Sequence, residues 1–241
     1  MEKASVNLIK DIKKQSRENR CLLFLDNIKI IKDAINSAYF KPIVAFVCDE
    51  NKSLNLDCQT YQTSYKTIES LVDVKTPQGV CVMLEYIPHI VTKPKTNFLV
   101  LDKIQDPGNA GTLIRTAKAT GFDTIFMLDS VKLTNPKVVR SSVGAIFDLN
   151  IFEMSENDFI SKQKEWNFDL LKADMDGENI FNADIKGQIG LVVGNEGNGV
   201  SQELSKLCNK SVKIPMKSGI ESLNAGVSGS IIMYEINKNS I

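Results

Sequence analysis

The chain of 241 residues contains one histidine and one tryptophan, and its charges cancel, with 29 Lys and Arg against 29 Asp and Glu. The single histidine, His89, lies in a polar, proline-marked stretch and reads as a surface residue. The five cysteines (Cys21, Cys48, Cys58, Cys81 and Cys208) are odd in number and scattered. They offer no zinc spacing and no disulfide framework, so reduced thiols in a cytoplasmic protein without a metal are expected. No apolar run approaches the ~20 residues that span a bilayer. The start, Met1-Glu2-Lys3-Ala4-Ser5, leads into a charged helix, so no secretory leader is expected. Zero net charge argues against a strongly basic nucleic-acid binder. A Gly-x-Gly-x-x-Gly turn followed by an acidic residue about twenty positions on is missing, as is a P-loop lysine, which argues against a nicotinamide oxidoreductase.

The charge that is present is unevenly placed. Residues 1–96 carry 14 basic and 11 acidic side chains, and the remainder 15 and 18. Lys13, Lys14, Arg17 and Arg20 cluster near the start. They suit either a phosphate-facing surface or an ordinary solvated helix face.

Residues 1–90 alternate strand and helix patterns. Cys21–Leu25, Ile43–Val47 and Gly79–Leu84 read as strands; Val6–Ile12, Ile28–Ala38 and Tyr65–Val72 read as helices. The polar segment 91–96 reads as a linker. Residues 97–241 alternate more cleanly. Phe98–Leu101 is an apolar run of parallel-strand type, and Thr124–Leu128, Leu149–Phe152, Phe168–Lys172, Ile189–Val193 and Val212–Ile214 read as further strands. Asn109 is the expected cap of the first helix and Gly121 its end, Asn135-Pro136 opens the second with Arg140 near its start, and Ser201 caps a short one. The last helix is expected over Asn224–Asn237. This pattern predicts an α/β fold, a doubly wound and largely parallel sheet, in which ligands bind beyond the carboxyl ends of the strands.

Three segments carry punctuation and hydrogen-bonding groups suited to such a site. They are 106–111 (Asp-Pro-Gly-Asn-Ala-Gly), 194–199 (Gly-Asn-Glu-Gly-Asn-Gly) and 214–224 (Ile-Pro-Met-Lys-Ser-Gly-Ile-Glu-Ser-Leu-Asn). Glycines let a backbone approach a ligand closely. Arg115, two turns into the helix after the first segment, suits an oxyanion through its planar donors, or is simply an exposed helix arginine.

Asn109-x-Gly111-x-x-x-Arg115, Val193-Gly194-Asn195-Glu196-Gly197-x-Gly199, and Ile214-Pro215-Met216 with Glu221-Ser222-Leu223-Asn224 resemble, in order and spacing, the three motifs of the SpoU-type RNA 2′-O-ribose methyltransferases. Arg140-x-Ser142-x-Gly144-Ala145 resembles a further segment of that family. The resemblance covers 97–241, and 1–90 looks like the family's RNA substrate-binding domain. Asp26-Asn27 departs from the usual Glu-Gly, and Ala225-Gly226 from Val-Ser. The resemblance implies a C-terminal trefoil-knotted SPOUT domain, a homodimer, and transfer of methyl from S-adenosylmethionine to a ribose 2′-hydroxyl, with 23S ribosomal RNA favoured over transfer RNA. A non-catalytic RNA-binding or ribosome-assembly protein is the rival. By the same resemblance, Gly194, Asn195, Glu196, Gly197, Gly199, Ile214, Pro215, Met216, Ser222, Leu223 and Asn224 hold the cofactor. Arg115, Asn109, Glu196, Ser222 and Asn224 are the catalytic set. Lys13, Lys14, Arg17, Arg20, Arg115 and Arg140 face RNA. Arg115 is then either an unusual base or a group that orients the hydroxyl and stabilises developing negative charge; a guanidinium is normally protonated.

Overall fold

The computed structural model describes residues 1–48, 56–72, 74–219 and 222–238. They form two compact units, Met1–His89 and Ile90–Ile241.

The first unit runs β1 (Glu2–Lys3), α1 (Val6–Glu18), β2 (Leu22–Leu25), α2 (Ile28–Ile35), β3 (Phe40–Val47), β4 (Gln59–Gln62), α3 (Tyr65–Val72) and β5 (Val80–Tyr86). Its sheet has the order β1-β4-β3-β5-β2. β1, β4 and β3 are parallel, and β5 is antiparallel to β3 and β2. Ile12, Phe46, Ile68, Leu71 and Met83 make its core. Asn27 caps α2 by accepting from the Lys29 and Ile30 amides. On α1, Lys10, Lys13, Lys14 and Arg17 fall within an arc of about 100° opposite buried Ile12, at 3.6 residues per turn. The basic cluster is therefore a stripe along one helix face.

The second unit runs β6 (Phe98–Asp102), α4 (Pro107–Ala119), β7 (Thr124–Leu128), α5 (Pro136–Ser142), β8 (Asn150–Met154), α6 (Glu156–Trp166), β9 (Asp169–Asn179), β10 (Ile189–Gly194), α7 (Gln202–Leu207), β11 (Lys210–Lys213) and α8 (Ala225–Asn237). Its six strands are all parallel, in the order β11-β9-β10-β6-β7-β8. Alternate residues point to opposite faces. Phe98, Val100, Phe126, Leu128, Leu170 and Val192 pack with Phe159 of α6 and Leu204 of α7. On the other face, Val193 meets Leu113 of α4 around Gly229 of α8. Burial on both faces explains the unbroken apolar runs of the central strands. The expected doubly wound sheet is thus present.

The structure departs from sequence expectation at several points. Helix α1 continues to Glu18 and α2 stops at Ile35. β1 and β4 were not anticipated; β4 reads Gln-Thr-Tyr-Gln, with no apolar alternation to announce it. The segment 106–111 is mostly helix. Asp106 is the cap, its Oδ1 accepting from the Asn109 amide at 2.8 Å, and Asn109 lies inside the first turn. Arg140 sits in the last turn of α5, not near its start. Ser201 precedes α7, but its hydroxyl caps nothing and bonds elsewhere. His89 is half-buried and stacked on Tyr39, with ring centroids 3.9 Å apart. Segment 91–96 is tied into the second unit, where Lys93 Nζ donates to the Trp166 carbonyl and the Pro94 carbonyl accepts from Gln188.

One position shows how tightly this sheet is filled. A Cβ on Gly190 would lie 2.3 Å from the Phe98 ring, which is fully buried and set edge-on to Phe126. Gly190→Ala is expected to cost about 1–3 kcal/mol, the usual range for overpacking. Urea unfolding measures it, and an unchanged midpoint would show that the ring has room to move.

Candidate active site

Parallel strands deliver all their carboxyl ends to one edge of a sheet. β6 ends at Asp102 and β10 at Gly194, and these two residues are register partners. β11 ends at Lys213, one strand beyond β9. The three motif segments therefore leave the same edge. Of the last, Ile220 and Glu221 lie outside the described residues.

Asn109 joins the segments. It is 7 % exposed, and its Nδ2 donates to Glu196 Oε1 at 2.7 Å. Its Oδ1 faces the start of α8, where a Cβ on Gly226 would lie 3.2 Å from it and 3.3 Å from its Cα. The first turn of α4, the loop after β10 and the first turn of α8 thus meet at one amide side chain. Asp106 keeps α4 in place. The bond from the Asn109 amide, helped by Lys137, holds the Asp106 carboxyl below the usual carboxylate range.

The loop after β10 folds back on its own start. Gly194 has no room for a side chain, since a Cβ there would lie 2.2 Å from the Gly199 carbonyl carbon and the Val200 nitrogen. Gly199 has φ +67°, and its amide donates to the Asn195 carbonyl at 2.8 Å. Asn195 Oδ1 accepts from the Gly197 and Asn198 amides, and its Nδ2 donates to the Lys103 carbonyl at 2.9 Å. Asn195 therefore shapes the loop from within, while Glu196, Gly197, Asn198 and Gly199 stay exposed.

The remaining predicted residues divide into two groups. Asn224 caps α8, its Oδ1 accepting from the Val227 amide at 3.2 Å. Ile214 and Leu223 are half-buried, and Pro215, Met216 and Ser222 are exposed on the same segment. Arg115 is exposed on α4, about 9 Å along the helix axis from Asn109 at 1.5 Å per residue. Its guanidinium makes no hydrogen bond or ion pair with another described residue. Arg140 is exposed on α5, and Lys14 pairs only loosely with Glu18 at 3.9 Å.

Two features of this edge escaped the sequence reading. The first is a polar network behind the β10 loop. Buried Asp102 accepts from the Ser201 amide at 2.6 Å, the Ser201 hydroxyl donates to Glu156 Oε1 at 2.7 Å, and Lys103 Nζ donates to Glu156 Oε2 at 2.7 Å. Burial pushes the Asp102 carboxyl up, partly offset by the Ser201 bonds. The Lys103 bond pulls the Glu156 carboxyl down, and the same bond pushes the Lys103 ammonium up. Beside this network lies a cavity of about 460 Å³, between Lys103, Gln105 and Asp129 on one side and Asn195, Asn198 and Ser201 on the other. The second feature is an excursion of β9. Residues 173–177 are extra relative to β11, whose pairing jumps from Ser211↔Lys172 to Val212↔Glu178. The excursion leaves the sheet edge between the β10 loop and β11. An acidic, glycine-ended stretch directly after an apolar strand (Asp174-Met175-Asp176-Gly177) was the available signal.

Among the described residues no helix is long and apolar enough to cross a membrane, and no cluster of His, Cys, Asp or Glu could hold a metal ion. The arrangement is a pocket edge built from exposed loop backbone, a buried amide, a carboxylate and half-buried apolar side chains.

Comparison with known proteins agrees with this geometry. A crystal structure of an AdoMet-bound rRNA methyltransferase from Sinorhizobium meliloti superposes with a TM-score of 0.88 at 23% identity, covering 100% of this chain and 98% of that one. The SpoU methyltransferase AviRb from Streptomyces viridochromogenes, in complex with AdoMet, superposes at 0.82 with 21% identity and 98% coverage of both chains. The 23S rRNA (guanosine(2553)-2′-O)-methyltransferase RlmP of Bacillus subtilis is 26% identical over 98% of both chains. An uncharacterized tRNA/rRNA methyltransferase of Mycoplasma genitalium is 29% identical over 92% of this chain and 98% of its own. The family model described as SpoU rRNA Methylase matches residues 96–234, the stretch that holds all three motif segments, and the chain belongs to that family.

Proposed function

We propose that this protein transfers a methyl group from S-adenosylmethionine to a ribose 2′-hydroxyl of 23S ribosomal RNA, acting in the cytoplasm. The observation that carries the reading is the meeting of three sequence-distant segments at Asn109, Glu196 and Gly226. The ribosomal target is supported by the name of the Bacillus subtilis relative, which matches over both units.

The residues present suit the donor. The Gly197 and Gly199 amides are taken by Asn195, which leaves the loop carbonyls around exposed Gly197 as acceptors for its polar ends, and half-buried Ile214 and Leu223 with partly exposed Met216 offer an apolar bed for an adenine ring. When bound, the donor supplies an electrophilic methyl on a sulfonium. The chain has to hold the 2′-hydroxyl in line with that methyl and manage the hydroxyl proton. We assign this to Arg115. It is exposed and keeps its five donors uncommitted among the described residues. It orients the sugar oxygen and stabilises the negative charge that develops there. Glu196, held by Asn109, and Ser222 and Asn224 order the groups around it.

The first unit supplies RNA affinity through the basic stripe of α1, with Lys13, Lys14 and Arg17 on one face and Arg20 just beyond it. Arg140 adds a phosphate contact in the second unit. The active form is a homodimer. Val227 and Tyr234 of α8 are 45% and 59% exposed, an apolar surface that a partner subunit would cover. The trefoil crossing of the family is part of the same proposal.

Incubation of total RNA with the protein and labelled donor is expected to yield one methylated ribose in 23S RNA. No incorporation, with folding intact, would overturn the reading in favour of a non-catalytic RNA binder. Arg115→Lys is expected to keep donor binding by calorimetry but lose about 10²- to 10³-fold in turnover, the usual loss for an electrostatic group of this kind. A near-normal rate would remove the guanidinium from the mechanism. Light scattering is expected to give twice the chain mass; a stable and active monomer would contradict the dimer.

A further inference from the structure

We propose that Lys103, Glu156 and Ser201 form a brace that sets donor affinity by fixing both ends of the β10 loop, which makes them positioning residues for the transfer. This rests on the reading of that loop as part of the donor site.

The loop is tied at its entry and its exit to one turn. At the entry, Asn195 Nδ2 donates to the Lys103 carbonyl at 2.9 Å. At the exit, the Ser201 amide donates to Asp102 Oδ2 and its hydroxyl to Glu156 Oε1. The Lys103 side chain then reaches Glu156 Oε2 at 2.7 Å and closes the circuit. Glu156 is itself anchored, because its amide donates to Asp129 Oδ2 at 3.2 Å beyond the end of β7. The Glu156 side chain is 16% exposed and that of Lys103 43%, so the carboxylate is shielded while the lysine stem stays open to solvent, and the bond is charge-assisted.

The cavity gives this circuit its purpose. About 460 Å³ of open space is lined by Asn195, Asn198, Gly199 and Ser201 of the loop together with Lys103, Gln105 and Asp129. A loop with exposed glycines next to such a space has other places to go. Lys103 holds a left-handed backbone, φ 55°, in the turn that binds both loop ends. Non-glycine residues seldom adopt this conformation, and here the side chain is aimed at a specific carboxylate. A loosened loop would spend part of its time displaced, and donor affinity would fall by the fraction lost. Saturating donor would hold the loop, with Glu196, in its ordinary place, so turnover at Arg115 would not change.

The test compares the full-length protein with Lys103→Met, Glu156→Gln, the double variant and Lys103→Arg. Each single change is expected to raise the donor Kd and KM about tenfold, as the loss of a charge-assisted hydrogen bond does. The double variant should be no worse than the weaker single, because both changes open the same circuit. Lys103→Arg should recover most of the affinity. KM for RNA and kcat should stay within about twofold of wild type. Unchanged donor affinity in folded variants, additive losses, or a loss confined to RNA KM would each overturn the brace. If thermal melting shows that the charged-pair variants do not fold, Ser201→Ala removes the Glu156 link alone; it should weaken the donor several-fold, and normal affinity would overturn the proposal. A wild-type protein that fails to bind the donor refutes the functional reading itself, whereas an active wild type with unaffected variants sinks only the brace.

Discussion

The meeting of the motif segments in the second unit depends on one hydrogen bond, from Asn109 to Glu196. Asn109 is buried, so its amide must be satisfied within the protein or carry the cost of desolvation. Its nitrogen is met by Glu196 and its oxygen looks onto the start of α8 at Gly226. A planar group with a donor at one end and an acceptor at the other fits between these elements. A carboxylate at that position would face another carboxylate, and a larger residue at Gly226 would press on the Asn109 backbone. The cap formed by Asp106 matters for the same reason, since it fixes the turn of helix on which Asn109 sits.

Much of the second unit was legible in the sequence because its strands are buried on both faces. Phe98–Leu101, Ile125–Leu128 and Leu191–Val193 are apolar without interruption, and the turns between them carry the glycine, proline and asparagine that end such runs. The first unit was less legible. β1 and β4 pair through their backbones at one side of the sheet and hold mostly polar side chains, so no periodicity marks them. The capping error at Asn109 has a simple origin. Asp106 and Asn109 are both good caps, and proline at 107 favours the earlier one because it prefers the first helical position.

The candidate site was legible where it is built from punctuation and illegible where it is built from contact. Glycines at 194, 197 and 199 announce a loop that approaches something closely. Nothing local to Lys103, Glu156 or Ser201 says that they will meet: 53 residues separate Lys103 from Glu156, and Ser201 lies 45 beyond Glu156. They converge because β10, β6 and β8 belong to one parallel sheet, with only β7 between β6 and β8, so the residues past their ends share one rim. The order of the strands, which periodicity does not reveal, decides which side chains become partners.

The slip in pairing between β9 and β11 gives this architecture an adjustable part. Leu171 and Lys172 pair with Lys210 and Ser211, and Glu178 and Asn179 with Val212 and Lys213; of the five residues between, which form no rung of the ladder, buried Gly177 lies against the Ser211–Val212 backbone and residues 173–176 are the ones that stand clear. Insertions or deletions there would remodel the rim between two strands while the hydrophobic interior kept its alignment.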